Sequence, residues 1–373
     1  MMSNRDIIVV GASAGGFEAL KILTAGLPTD IPAAIFIVWH MSPDVRGILP
    51  HVINRSHKLY AAHAVEGEPI VHGRIYVAPP DHHLLVDSDR VRVTRGPKEN
   101  RFRPAVDPLF RSAAYHFGAR VTGVILSGAL DDGTSGLWAI KQRGGIAIAQ
   151  HPLDAEVPSM PQNAIREVDV DHIVRVAEIP DLLVRLASEQ VDLSAEAVME
   201  VDENENIKTE TEIAIAVEEN ALERGVMNMG DLTPFTCPDC HGVLTALLDG
   251  KRKRFRCHTG HAFSSDALLA ALTEGIEDSI WNAIRGVDES IIMLNHMGDH
   301  FAEVNEPKLA AVYFKKAQNA SQRKELLSQA VMSHEQLNKE QLRYEAEQTN
   351  GDHLEGVKEP EKLRLERHEE TIA

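Results

Sequence analysis

Ile7-Ile8-Val9-Val10-Gly11-Ala12-Ser13-Ala14-Gly15-Gly16 begins as an unbroken apolar run and ends in a serine framed by glycines. A short apolar run closed by glycine reads as a strand buried on both faces, and residues 17–25 behind it read as a helix. Gly11-Ala12-Ser13-Ala14-Gly15 therefore satisfies the nucleophile-elbow pattern G-x-S-x-G, with a strand before it and a helix after it. The glycines let the chain turn sharply, so the hydroxyl can project above the sheet. The amides that follow, opening a helix, are natural donors to an oxyanion. Two more apolar runs end in a reactive side chain. Residues 33–38 lead into Trp39-His40-Met41, and residues 124–126 into Gly128-Ala129-Leu130-Asp131-Asp132-Gly133. Loops beyond the carboxyl ends of parallel strands gather in one crevice. A serine, a histidine and an aspartate delivered there are the parts of an acyl-transfer triad.

The rest of the first half repeats the strand–helix alternation. Residues 69–78 and 83–94, alternating around Asp81, predict a hairpin. Residues 107–117 read as helix, 121–126 as strand, and 134–143 as helix stopped by Gly144-Gly145. Residues 146–149 form another strand and 180–187 a last helix. The expected fold is α/β: a doubly wound, mostly parallel, Rossmann-like sheet with an antiparallel hairpin, over residues 1–190.

The formal net charge of −18 over 373 residues is unevenly spread. Residues 1–190 hold 19 Lys and Arg against 21 Asp and Glu, whereas residues 191–232 hold two against 12. The latter segment, acidic and without sustained apolar periodicity, reads as a flexible linker. The near-neutral first half shows no basic stripe, which argues against nucleic acid as a partner. No signal-like core follows Met1, and the longest apolar run, residues 33–39, is too short to span a bilayer, so membrane insertion is not expected. The three cysteines, an odd number packed between 237 and 257, are no disulfide framework and suit a reducing, cytoplasmic compartment.

Cys237-Pro238-Asp239-Cys240, then Cys257 and His261, offer four ligands at spacings suited to tetrahedral, structural zinc. His258 is the alternative fourth ligand, though its adjacency to Cys257 makes joint coordination awkward; His241 is less favoured. The competing reading is a redox C-x-x-C or reduced core cysteines. The zinc-ribbon-like segment spans residues 233–265. The basic run Lys251-Arg252-Lys253-Arg254 within it suits an acidic partner, and the upstream acidic segment is one in the same chain. Leu268, Leu272, Ile276, Ile280, Ile284, Val287, Ile291 and Leu294 recur at helical spacing and predict an α-helical hairpin over 266–347, the second helix running over about 307–345. A charged tail, 348–373, follows.

Taken alone, the glycine-rich elbow also suits a phosphate or a dinucleotide. Here, however, Ser13 occupies the central glycine position of G-x-G-x-x-G, and no acidic residue ends the second strand to take a ribose. His40 gains weight only from its strand-end position. Spacing does not choose between Asp131 and Asp132, and the order Ser…His…Asp differs from that of α/β-hydrolases.

These residues, taken in order, resemble a known family. Residues 9–16, His40-Met41, Ala78-Pro79-Pro80-Asp81-His82-His83, residues 101–110, Leu126-Ser127-Gly128-Ala129-Leu130-Asp131-Asp132-Gly133 and Met160-Pro161 are similar to the catalytic domain of CheB-type chemotaxis protein-glutamate methylesterases. The resemblance covers about residues 6–190. It implies a triad of Ser13, His40 and Asp132, hydrolysis of glutamate γ-methyl esters on chemoreceptor-type proteins, deamidation of selected glutamines, and no cofactor for catalysis. Ala129 stands where that family's Gly-Met-Gly-Asn-Asp-Gly loop has methionine. Familiar members carry a receiver domain ahead of the first strand. None precedes it here, so activity without a phosphoryl donor is expected, or control by a separate response regulator. The rival reading is a non-catalytic signalling scaffold that recruits partners through its zinc-helical region. With the triad set across a linker from the ribbon, hydrolysis of a small ester is expected to survive loss of the metal.

Overall fold

The computed structural model describes residues 2–40, 48–55, 58–192, 202–218 and 220–337, together with 342, 345 and 346. Its central sheet is parallel, in the order His172–Val174, Ile146–Gln150, Val121–Ile125, Ile7–Ala12, Ala34–Trp39, Arg74–Val77, Tyr60–His63. The chain enters at Ile7–Ala12, builds outward on one side, then crosses to Val121–Ile125 on the other. Strand order therefore reverses at the elbow strand, where α/β sheets open a crevice. Side chains alternate between two cores. Ile7 and Val9 join Phe36, Leu109 and Phe110 on one face. Ile8 and Val10 join Ile35, Leu20 and Leu23 on the other. Burial on both faces is why these strands read as unbroken apolar runs.

The expected hairpin forms on different residues. Arg74–Val77 lies in the central sheet, parallel to both Ala34–Trp39 and Tyr60–His63. The antiparallel pair is His83–Val86 with Val91–Thr94. Ile75, Tyr76 and Val77 are fully buried in succession, an environment that a half-exposed hairpin arm does not offer.

The acidic segment is not the linker that its composition suggests. Within 191–232, residues 193–201 and 219 lie outside the described residues, but Glu203–Ala216 is a helix, capped by the Asp202 side chain on the Asn204 amide. That helix packs on the domain of the central sheet: Thr94 Oγ1 donates to the Ala216 carbonyl, and Arg143 donates to Asn206 and Thr209. Its Glu212 is buried against Arg111, Arg254 and Arg256. The acidity is thus matched partly by arginines distant in sequence, not only by water. Arg254 is one of the basic run, which does meet the acidic segment of its own chain.

Asp231–Thr236, Val243–Asp249, Arg252–Cys257 and Ala262–Ser264 form a four-stranded antiparallel ribbon. From Ser264, whose hydroxyl accepts from the Ala267 amide, the helix Ser265–Glu303 runs out and Pro307–Met332 packs back along it. Leu268 and Ile284 are buried as the stripe requires, whereas Ile276 faces outward. The second helix stops at Met332, short of 345. Met41 and the tail 348–373 lie outside the described residues. Among the described residues, no helix is long and apolar enough to cross a membrane.

Candidate active site and ribbon

Ser13 follows directly on the last residue of its strand, and its amide donates to the Ser127 carbonyl at 2.9 Å. Gly15 completes the turn at φ +69, where a Cβ would meet Glu156 at 2.6 Å and Ser127 Oγ at 2.7 Å. Gly128 passes so close that a Cβ there would lie 2.8 Å from that of Ser13. Ser127 pins the two loops together, its hydroxyl donating to the Ala14 carbonyl at 2.8 Å and accepting from the Val157 amide at 2.9 Å.

His40 follows Ala34–Trp39, and its backbone amide donates to the Ala12 carbonyl. Its Nδ1 lies 3.1 Å from Ser13 Oγ and its Nε2 lies 2.8 Å from Asp132 Oδ2. The histidine therefore bridges serine and aspartate through opposite ring nitrogens, with Nδ1 on the serine side. Phe102 stacks on the imidazole, centroids 3.9 Å apart and planes inclined by 11°. All three polar side chains are buried.

Asp132 is held by several donors. Asn100 Nδ2 reaches Oδ1 at 2.8 Å, and the amides of Val106, Asp107 and Gly133 donate at 2.7, 3.3 and 2.9 Å. Burial alone would raise its pKa; the bond and charge of His40, with the Val106 and Asn100 bonds, outweigh burial and hold the carboxylate below its usual range. Asp131 faces away, toward the ribbon. Its carboxylate accepts from Ser264 Oγ at 2.5 Å and pairs with Arg252 at 3.4 Å. Burial pushes its pKa up to about 6 against the pull of Arg252. The adjacent aspartates are thus separated by what each one faces.

Cys237, Cys240, Cys257 and His261 converge with all four ligand atoms within 4.8 Å of one another. Cys240 and Cys257 sulfurs are 3.6 Å apart, and His261 Nδ1 lies 3.7 and 3.6 Å from Cys237 and Cys257. A tetrahedron with zinc–sulfur bonds of about 2.3 Å has edges of about 3.7 Å, so the donor set fits that ion. Thr259 Oγ1 donates to Cys240 Sγ at 3.2 Å. His258 is exposed, with its ring over Gly242 instead of in the cluster, and His241 is likewise outside it.

Three positions given no role at the site by the sequence reading stand out: Asn100, Ser264, and Phe102, which lies in the 101–110 stretch that carries the family resemblance. Asn100 and Phe102 lie in a turn whose contacts are set by the fold, and no periodicity or spacing marks them. The ribbon is also not set apart from the triad as expected, because Ser264 reaches Asp131 directly and its amide donates to Asn100 Oδ1 at 2.8 Å.

Comparison with known proteins gives the family of the chain. Residues 8–183 match the family model described as CheB methylesterase. A protein from Leptospira interrogans, provisionally named a protein-glutamate methylesterase/protein-glutamine glutaminase, is 38% identical over 184 residues, covering 49% of this chain and 95% of that protein. Protein-glutamate methylesterase/protein-glutamine glutaminase 2 of Anaeromyxobacter dehalogenans is 37% identical over 178 residues, 48% of this chain and 52% of its own. The solved Thermotoga maritima CheB methylesterase catalytic domain is 32% identical, with 49% of this chain and 99% of that chain covered at a TM-score of 0.48.

Proposed function

The chain belongs to the CheB methylesterase family, and from that premise we propose that it is a serine hydrolase that removes methyl esters from glutamate side chains of chemoreceptor-type signalling proteins. Deamidation of glutamine in the same proteins is the companion activity. The observation that carries the reading is the unbroken contact from Ser13 through His40 to Asp132.

Ser13 Oγ attacks the γ-carbonyl carbon while its proton passes to His40 Nδ1. The Nε2–H of the resulting imidazolium donates to Asp132, which stabilises the charge and fixes the ring. The Gly16 amide is engaged by the Ser13 carbonyl, so Ala14 and Gly15 supply the amides for the oxyanion. The bond to the methoxy oxygen then breaks, and His40 returns its proton to release methanol. Water, deprotonated by His40, cleaves the acyl-serine to the glutamate carboxylate and restores Ser13. A glutamine substrate releases ammonia at the same step. Three side chains already in bonding register favour turnover over a scaffold. Location in the cytoplasm, with methylated receptor as partner, completes the proposal.

Methanol release from methylated receptor fragments tests it. Ser13→Ala, which fits the same turn, should lower the rate by about 10⁴-fold or more. Release undiminished by that change would refute the serine mechanism. The Cys237, Cys240, Cys257 and His261 cluster holds one structural zinc ion in this reading, since four protein ligands leave no open position. Metal analysis of the purified chain is the check, and a native protein free of zinc would refute it.

A further inference from the structure

Residues 98–102 touch the triad on one side and the ribbon on the other. Toward the triad, Asn100 Nδ2 donates to Asp132 and Phe102 lies flat on His40. Asn100 and Arg101 both sit at positive φ, 49° and 76°. Consecutive non-glycine residues persist in that region only when their surroundings over-determine them. Those surroundings come largely from the ribbon. The Asn100 amide donates to the Ala262 carbonyl at 2.8 Å, and the Ala262 amide to the Lys98 carbonyl at 3.2 Å. The Ser264 amide fixes the Asn100 side chain by donating to its Oδ1. That choice of acceptor also settles which end of the side chain faces Asp132: the NH₂ group. Glu99 is gripped by Arg111 and, at 2.7 Å, by Arg256 of the ribbon.

Ala262 follows immediately on His261, and Arg256 immediately precedes Cys257. Two of the three ribbon residues described as gripping residues 98–100 therefore adjoin cluster members, the third being Ser264. We propose that Asn100 is a positioning residue for Asp132, and that the ribbon holds it in place, so that filling of the four-ligand site sets turnover at the triad. This rests on the hydrolase reading above. It reverses the expectation that small-ester hydrolysis survives metal loss.

The test uses the full chain as wild type, as Asn100→Ala, and after removal of zinc by a chelator. Two quantities are read: kcat and KM for methanol release, and the low-field proton resonance of the N–H shared by His40 and Asp132. A hydrogen bond to an ionised group is worth on the order of 10–100-fold in an equilibrium or rate, so Asn100→Ala should lower kcat by roughly 10–100-fold with KM within about twofold. It should also shift or broaden the resonance. Chelation should change both in the same direction, and added zinc should restore them. A resonance and kcat unmoved by Asn100→Ala would overturn the positioning role. A zinc-free chain with both unmoved would overturn the coupling. If Asn100→Ala does not fold, Ser264 gives the second route. Its φ of −68° suits proline, so Ser264→Pro removes the amide that holds Asn100, and Ser264→Ala keeps it. Only the proline variant should reproduce the loss, and equal behaviour of the two would count against the proposal. Should wild type release no methanol, the hydrolase reading fails, while the resonance still decides the coupling.

Discussion

Asp107 shares the Asn100 amide group with Asp132, accepting from the same Nδ2 at 2.8 Å. Burial first, then the charge of Asp132, push its pKa up to about 7, even though the Gly136 amide donates to it. The same carboxyl titrates near 3.9 in an unfolded chain. Between those values the folded protein holds the extra proton, so this group's contribution to stability falls as pH rises through the window and levels off above it. Asp107→Asn, neutral throughout, should remove the fall. Urea unfolding of the two proteins should diverge in the variant's favour by on the order of 4 kcal/mol between about pH 4 and about pH 8. Parallel curves would show that Asp107 is ionised throughout. At this scale the sequence was legible where a residue ends a strand. Ser13, His40 and the pair Asp131-Asp132 stand out because parallel strands deliver their ends to one place, and it is the family resemblance that selects Asp132 from the pair. Asn100 does not stand out, because its importance lies in which two groups its amide joins, and both arrive from elsewhere in the chain.

The helix Glu203–Ala216 shows what composition misses. Its charged residues suggested a solvated linker, yet Glu212 is almost fully buried between three guanidinium groups. Burial alone would raise the Glu212 pKa, but Arg111, Arg254 and Arg256 overcome it and hold the carboxylate well below its usual range. Removing one partner of a buried ion cluster leaves uncompensated charge and typically costs 3–5 kcal/mol. Glu212→Gln should therefore lower unfolding stability by about 3 kcal/mol, while the exposed Glu210→Gln should change it by less than about 0.5 kcal/mol. Equal losses in chemical denaturation would mean that the cluster contributes nothing specific. The strands buried on both faces were readable from their unbroken apolar runs. The hairpin was misplaced because Ile75, Tyr76 and Val77 look the same in a list of residues whether one face is covered or two.

On the scale of the molecule, the acidic helix, the ribbon and the sheet domain meet in one buried cluster of charges, where composition suggests a flexible linker. Arg111 belongs to the sheet domain, Glu212 to the acidic helix and Arg256 to the ribbon, and all three are buried together. The bond from Ser264 to Asn100 spans 164 positions of chain. That separation has a meaning in time. Translation proceeds at roughly 5–20 residues per second, so the interval between making Asp132 and making Ser264 is on the order of ten seconds. Through that interval the nascent polypeptide already carries its nucleophile, its base, its carboxylate and Asn100, while the ribbon that holds Asn100 has yet to be translated. On the coupling inferred above, the ribosome finishes the chemistry in a different order from the fold: the reactive groups come first, and competence arrives only with the ribbon.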